Sequence, residues 1–250
     1  MMDSPRPFLE HLLELRRRLI VTLVGFLIVF ALCYYYSESI FQFLVRPLAT
    51  LFQAKGEGRR LIYTGLTEAF LTYIKVAAFA AAFFSFPVMA IQVWNFMAPG
   101  LYQKERQFFI ALLVATPLLF FCGAVFAYTL VFPNAYAFFL SFESNAGYLP
   151  IQLEAKVNEY LSFVMRLIFA FGICFELPVI LTLLASMGIL TLKVLIDQWR
   201  IAVVFIFVIA AFITPPDVLS MVALAFPLIM LYGLSILMVS VLEKRRLKHD

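Results

Sequence analysis

The chain has 250 residues, of which 64% are hydrophobic and only 14% are charged, and its formal net charge is +4. Soluble domains are about 45–50% apolar and about 25% charged, so a soluble core could not hide this much apolar surface. The composition argues against a soluble enzyme, a nucleic-acid-binding domain and a disordered chain. It predicts an all-α membrane protein that crosses the bilayer several times.

Six apolar segments are expected to cross the membrane as helices, because roughly 20 apolar residues span the hydrocarbon core. Mid-span prolines kink helices and favour a concave bundle. The fifth segment is only about 22 Å long at 1.5 Å per residue. The fifth and sixth helices are therefore expected to be short or tilted, in a locally thinned bilayer. Residues 1–250 are predicted to form one integral membrane domain with spans at about 19–36, 69–94, 108–132, 160–187, 199–213 and 218–242.

The distribution of Lys and Arg predicts the orientation of the chain. Twelve of the 19 lie in the two tails and in the links that join spans two to three and four to five, which face one side. Because cytoplasmic segments carry the excess of positive charge, both termini are predicted to be cytoplasmic. The longer links at 37–67 and 143–159 then lie outside and are expected to fold over the bundle as a cap.

Histidine and cysteine give no sign of a catalytic or metal site. His11 and His249 lie in the polar tails, so a Ser–His dyad within the membrane is excluded. Cys33, Cys122 and Cys174 each lie in an apolar run without metal-ligand spacing. They are interpreted as small hydrophobic residues without a disulfide, and no cofactor is expected.

Glu176 is the strongest functional signal, because it lies in the middle of the fourth span, two residues before Pro178. A carboxyl group in hydrocarbon is costly and indicates function by default. Desolvation favours its neutral form. The alternative interpretation is a neutral acid that bonds to a backbone carbonyl freed by Pro178.

Other acids lie close to the predicted membrane surfaces. Glu14 precedes Arg18 by four residues, which is typical of an ion pair within one helix. Glu105 lies beyond aromatic residues in the link between spans two and three, where a solvated loop charge is the plainer interpretation. Thr67 and Glu68 are expected to form an N-cap and an acid at the positive end of the second helix.

Five segments occur in one order along the chain: HLLELRRRL at 11–19, QVWNF with APGLY and ER at 92–106, YLSF at 160–163, FGICFELP at 171–178 and TPPD at 214–217. Each alone is a weak signal. In register on six predicted spans, from residue 8 to about residue 232, they resemble the TatC family, the core subunit of the twin-arginine protein translocase.

The resemblance implies a non-enzymatic protein that recognises the twin-arginine motif of signal peptides on folded cargo at the cytoplasmic face. Physical chemistry agrees, because a guanidinium meets a carboxylate bidentately whereas lysine offers only a point charge. The residues implied in signal-peptide binding are Glu14, Leu15, Arg16, Arg18, Phe96, Pro99, Leu101, Tyr102 and Glu105.

Glu176 matches the family's intramembrane glutamate, which faces the groove of a glove-like bundle. There the resemblance implies contact with single-span partners of the TatA and TatB type, and a neutral carboxyl could donate the hydrogen bond. It also implies export driven by the proton-motive force, self-association of the receptor in the cytoplasmic membrane of a bacterium or archaeon, and no nucleic acid. The residues implied in partner contacts are Glu176, Pro178, Thr214, Pro215 and Asp217.

The chain departs from the family pattern at Gly233, where many members have glutamate, and at Met221, where glutamine is common. Partner contacts at these two positions are therefore not carried over. The alternative function is a proton-coupled secondary transporter of a small solute, with Glu176 as its relay. That function needs a polar pocket in mid-membrane, for which the spans supply Thr72, Lys75, Thr116, Asn134 and Arg166 besides Glu176.

Overall fold

The structure, a computed structural model, describes residues 8–55, 60–97, 106–143, 153–213 and 218–246. In the helix ends at 8–11, 54–55, 94–97, 106–111, 219–220 and 245–246 it describes the backbone alone. These ranges are helical almost throughout, and a single β-bridge within them joins Ile62 to Lys156.

Ten α-helices and one π-helical turn follow each other along the described chain. They are α1 (Phe8–Tyr35), α2 (Ser37–Lys55), α3 (Glu68–Met97), α4 (Arg106–Phe126), the π turn (Ala127–Val131), α5 (Phe132–Leu140), α6 (Val157–Phe175), α7 (Leu177–Ser186), α8 (Leu192–Asp197), α9 (Trp199–Ile213) and α10 (Val218–Arg246).

Five helical stretches of the described chain are long and apolar enough to cross a membrane: Leu12–Tyr35, Glu68–Val93, Leu112–Leu140, Val157–Ser186 and Met221–Lys244. They correspond to five of the six predicted spans. The fifth predicted span is α9, which has only 15 residues, as its sequence predicts. The helix that follows is not short, because α10 has 29 residues, so the pair joins one short helix to one of full length.

The third predicted span ends too early. Instead of stopping at Phe132, the helical path passes through the π turn into α5 and continues to Leu140. Pro133 occupies the first turn of α5, where a missing N–H breaks no intrahelical hydrogen bond. The π turn thus carries the chain past a proline that otherwise indicates a helix end.

Residues 37–67, expected to form a loop over the bundle, instead contain the helix α2. Its Leu44, Leu48 and Phe52 are spaced four residues apart and are buried. This spacing gives an apolar stripe on one face, and that face packs against α3, α5 and α6. The segment therefore belongs to the core. The prediction missed it because only long apolar runs were counted as helices, whereas α2 alternates polar and apolar residues.

The central core lies where α4 meets α6, and two glycines set how closely these helices approach. A Cβ atom on Gly123 would lie 2.6 Å from the carbonyl oxygen of Phe171, and one on Gly172 would lie 2.6 Å from Cε2 of Phe120. Small residues let membrane helices pack backbone to backbone. The contact places the α4 segment around Phe120 beside the end of α6, where Glu176 lies.

Both ends of the described chain lie at the same end of the bundle. Arg18 of α1 bonds to Gln92 near the end of α3, and this part of α3 packs with α7. Glu243, near the end of α10, accepts the N–H of Leu192 at the start of α8. We call this the termini end, and the opposite end, where α3 and α6 begin, the far end.

Candidate functional sites

At the termini end, the Glu14 carboxylate is bound by a guanidinium. Arg18 donates from Nη2 and Nε to Oε1 of Glu14 at 2.6 and 3.1 Å. Its Nη1 donates to Oε1 of Gln92 on α3 at 3.3 Å. The predicted ion pair is confirmed, and its two side chains are only 22% and 24% exposed. Glu14 is thus held, half-buried, in an orientation that accepts two N–H donors of one arginine.

The structure describes only part of the predicted signal-peptide site. Leu15 and Arg16 are exposed next to Glu14 on α1. The contact of Gln92 with Arg18 was not predicted; its signal in the sequence is a glutamine near the end of the apolar helix α3. Outside the described residues lie Pro99, Leu101, Tyr102, Glu105 and the side chain of Phe96.

Glu176 lies at the break between α6 and α7 and is 6% exposed. Its backbone is satisfied, since its N–H bonds to the carbonyl of Ile173 and its carbonyl accepts the N–H of Ile180. Its side-chain Oε1 is buried and has no hydrogen-bond partner among the described residues. Thr116 and the backbone of Phe120, both on α4, are the polar groups that face the carboxyl.

Pro178 is buried in the first turn of α7. The carbonyl of Pro178 accepts the hydroxyl of Thr182 at 2.5 Å. In the alternative interpretation, the neutral Glu176 carboxyl bonds to a backbone carbonyl that Pro178 frees. Oε1 of Glu176 makes no such bond to the described residues. Because buried polar atoms are normally bonded, this oxygen is an incomplete polar site within the bundle. The other predicted partner contacts lie outside the described residues: Thr214, Pro215 and Asp217.

The polar residues considered for a solute pocket are mostly engaged by their own helices. Thr72, Thr116 and Asn134 each donate to the backbone carbonyl four residues earlier. Lys75 donates from Nζ to Oδ1 of Asn158 at 2.7 Å, where α3 meets the start of α6. Among the described residues only Thr116 of this set faces Glu176, so the mid-membrane pocket that the alternative requires is not assembled.

Comparison with known proteins gives one consistent result. The family model for the Sec-independent protein translocase protein TatC matches residues 10–227. The TatC protein of Rickettsia prowazekii is 46% identical over 239 residues, covering 96% of this chain and 94% of that protein. The TatC protein of Magnetococcus marinus is 43% identical over 248 residues, covering 99% and 89%.

Solved structures agree. A crystal structure of the twin-arginine translocase receptor TatC in DDM has a TM-score of 0.78 to this chain and is 36% identical to it. The match covers 92% of this chain and 99% of that one. A second crystal structure of the same receptor has a TM-score of 0.76.

The fold is that of an all-α membrane protein with several spans and a half-buried carboxylate at its termini end. The chain belongs to the TatC family of Sec-independent protein translocases. Its relatives are named as components of protein transport, and none of these comparisons supports small-solute transport.

Proposed function

We propose that this chain is the receptor subunit of a twin-arginine translocase. It binds twin-arginine signal peptides of folded proteins at the cytoplasmic face of a bacterial or archaeal membrane. It then assembles with single-span partners of the TatA and TatB type, and with further copies of itself, for export driven by the proton-motive force. It acts by binding, without enzymatic chemistry and without a cofactor.

The observation that supports this proposal most strongly is the way Glu14 accepts a guanidinium. Two donors of Arg18 reach one carboxylate oxygen of Glu14 within 3.1 Å. The Glu14 carboxylate is partly shielded from water, which strengthens a charge-assisted bond. Lysine cannot reproduce a planar fork of donors, so such a site favours Arg-Arg over Lys-Lys.

Glu105 is proposed as the second carboxylate of the same site. It lies in the link between α3 and α4, and Gln92 ties the end of α3 to Arg18 on α1. Phe96 follows Gln92 by one helical turn, so the link begins close to Glu14. Pro99, Leu101 and Tyr102 are proposed to line the rest of the site.

Glu176 is proposed as the contact for the single-span partners, together with Pro178, Thr214, Pro215 and Asp217. Its unbonded Oε1 supports this assignment, because a polar group from another helix would complete it. Since Glu176 is only 6% exposed, such a contact requires a small displacement of α4 from α7.

The test is binding of a labelled Arg-Arg signal peptide to the detergent-purified chain, compared with its Lys-Lys twin. We expect Glu105→Ala and Glu14→Ala each to weaken Arg-Arg binding about tenfold or more, since each removes a hydrogen bond to a charged group. Glu38→Ala is the matched control, because it removes the same charge from an exposed position at the start of α2, at the far end.

Arg-Arg preference that disappears in Glu14→Ala and Glu105→Ala, but survives in Glu38→Ala, supports the receptor function. Equal binding of both peptides by folded protein contradicts it. If neither peptide binds, the measurement is repeated with the co-purified single-span partners, and a second failure rejects the proposal.

A further inference from the structure

Arg166 is a cation inside a membrane span. It is the tenth residue of the span Val157–Ser186, which places its Cα about 8 Å from the middle of the span. Its side chain is exposed on the surface of the bundle. No hydrogen bond or ion pair joins it to any residue in the ranges that the structure describes. A guanidinium at this depth is costly unless it pairs with an anion or its side chain extends to the membrane surface, so Arg166 indicates a contact outside the chain.

Arg166 lies on the one face of α6 that the other helices leave partly open. Ser162 and Ala170, one turn before and after it, are small and half-buried, and Ile173 is exposed. Residues of the opposite face are buried in the core: Leu161, Val164, Leu167 and Ile168. Small side chains on either side of Arg166 let another helix approach closely. We call Ser162, Arg166, Ala170 and Ile173 the α6 face.

The α6 face continues toward Glu176. Glu176 follows Ile173 by three residues and Arg166 by ten, which is about 15 Å of helix rise. Its Oε1 also lacks a partner within the described chain. The exposed α6 face thus carries an unpaired cation, and Glu176, buried against α4 about 15 Å further along, has one unbonded carboxyl oxygen.

We propose that the α6 face is the docking surface for a single transmembrane helix that carries a carboxylate opposite Arg166. The inference rests on the proposed function, in which Glu176 contacts a single-span partner. A carboxylate neutralises Arg166 and accepts two of its donors, which fixes the partner's register. This carboxylate should lie about ten residues along the partner helix from the polar side chain that contacts Glu176.

The experiment co-purifies the full chain with the single-span TatA/TatB-type proteins of the same cell and measures the partner retained per chain. Arg166→Leu is expected to lower retention of the partner about tenfold. Arg166→Lys keeps the charge but loses the planar set of donors, so its retention is expected to lie between those of Arg166→Leu and the unchanged chain. Arg46→Leu is the matched control, because it removes the same charge from an exposed position on α2. Thermal unfolding of each variant in detergent checks that its fold is intact.

Charge exchange gives the decisive measurement. Arg166→Asp should lose the partner, and replacing the partner's intramembrane acid by arginine should restore retention to within about threefold of the original pair. Unchanged retention of the partner in Arg166→Leu overturns the inference. Arg166 then pairs either with lipid phosphate or with a second copy of the chain. Bound phospholipid measures the first of these, and oligomer size measures the second. In that case loss of retention in Glu176→Ala leaves the proposed function standing, whereas no retention by the unchanged chain removes both.

Discussion

The hydroxyl of Tyr128 donates a 2.6 Å hydrogen bond to the backbone carbonyl of Phe43. Pro47 lies four residues after Phe43 in α2, so this carbonyl has no N–H to accept from its own helix. The rings of Phe43 and Tyr128 also stack, with centroids 4.7 Å apart and planes 7° from parallel. The π turn that carries Tyr128 thus repairs the α2 hydrogen bond that Pro47 removes.

Tyr128→Phe should lower the free energy of unfolding by about 0.5–1.5 kcal/mol, because it removes the hydrogen bond and keeps the ring. Pro47→Ala gives the Phe43 carbonyl a helical N–H partner, so Tyr128→Phe should cost less in that background. Thermal or denaturant unfolding of the four proteins of this cycle, in detergent, measures the coupling. An equal cost of Tyr128→Phe in both backgrounds would contradict the relationship.

Tyr160→Phe should destabilise the protein more than Tyr128→Phe. The Tyr160 hydroxyl donates to the carbonyl of Leu44 at 2.8 Å, and the residue is only 3% exposed. The Leu44 carbonyl is enclosed by packed side chains and is left without a partner when the hydroxyl is removed, whereas the Phe43 carbonyl lies in a more exposed place. The same unfolding measurement ranks the two variants, and a smaller effect at Tyr160 would show that burial does not decide the cost.

Alanine at Gly123 or Gly172 should force α4 and α6 apart. At Gly123 the nearest atom is a backbone oxygen, which cannot rotate away, whereas at Gly172 it is the ring of Phe120. We expect each substitution to cost about 1–3 kcal/mol, with Gly123→Ala the more severe. Unfolding temperature in detergent is the measurement.

Gly25→Ala and Gly233→Ala are the controls for this prediction. Apart from the glycine itself, its chain neighbours and the adjacent backbone of its own helix, no atom of the described residues lies within 4 Å of a Cβ built on either glycine. Both substitutions in a helix should therefore be neutral or slightly stabilising. A loss as large as that of Gly123→Ala would mean that helix flexibility, rather than close approach, explains these glycines.

Variants of Glu176 should separate its hydrogen bond from its charge. If a neutral carboxyl serves as a polar contact in lipid, Glu176→Gln keeps the partner and Glu176→Ala loses it. Retention of single-span partners on the purified chain is the measurement. Loss in Glu176→Gln with retention in Glu176→Asp would instead assign the contact to an ionisable acid.

Glu68→Ala should loosen the segment that leads into α3. Its Oε2 accepts the N–H groups of Thr64 and Gly65 at 2.8 and 3.1 Å, and its Oε1 accepts the N–H of Asn158 at 3.4 Å. Loss of these bonds should speed trypsin cleavage after the exposed Arg60. Glu154→Ala, which removes a nearby exposed acid, should leave the cleavage rate unchanged.

Apolar length predicted the spans well, because a helix in lipid must satisfy its own backbone whatever lies beside it. α9 begins and ends where the sequence predicted. Two of the errors concern helices that contain a proline, since the third span was ended before Pro133 and α2 was not predicted. Pro47 and Pro133 both lie in helices, one repaired by a distant tyrosine and the other tolerated in a first turn.

In the candidate sites, too, contacts between residues close in sequence were predictable and contacts between distant residues were not. The Glu14–Arg18 pair was predictable, since residues four apart share a helix face. The contact of Arg18 with Gln92 was not, because these residues are 74 positions apart. For the same reason no local pattern could show that Glu176 faces α4 or that Arg166 lacks a partner.

By itself the sequence determined that this protein lies in lipid and how many apolar segments it has. It also determined the family that the chain resembles and the residue types at its sites. All of these follow from composition and local spacing. The tertiary structure alone decided which polar groups are satisfied. A carbonyl freed by Pro47 found Tyr128, while Oε1 of Glu176 and the guanidinium of Arg166 found no partner among the described residues. That outcome depends on how separate helices pack, which no single segment encodes.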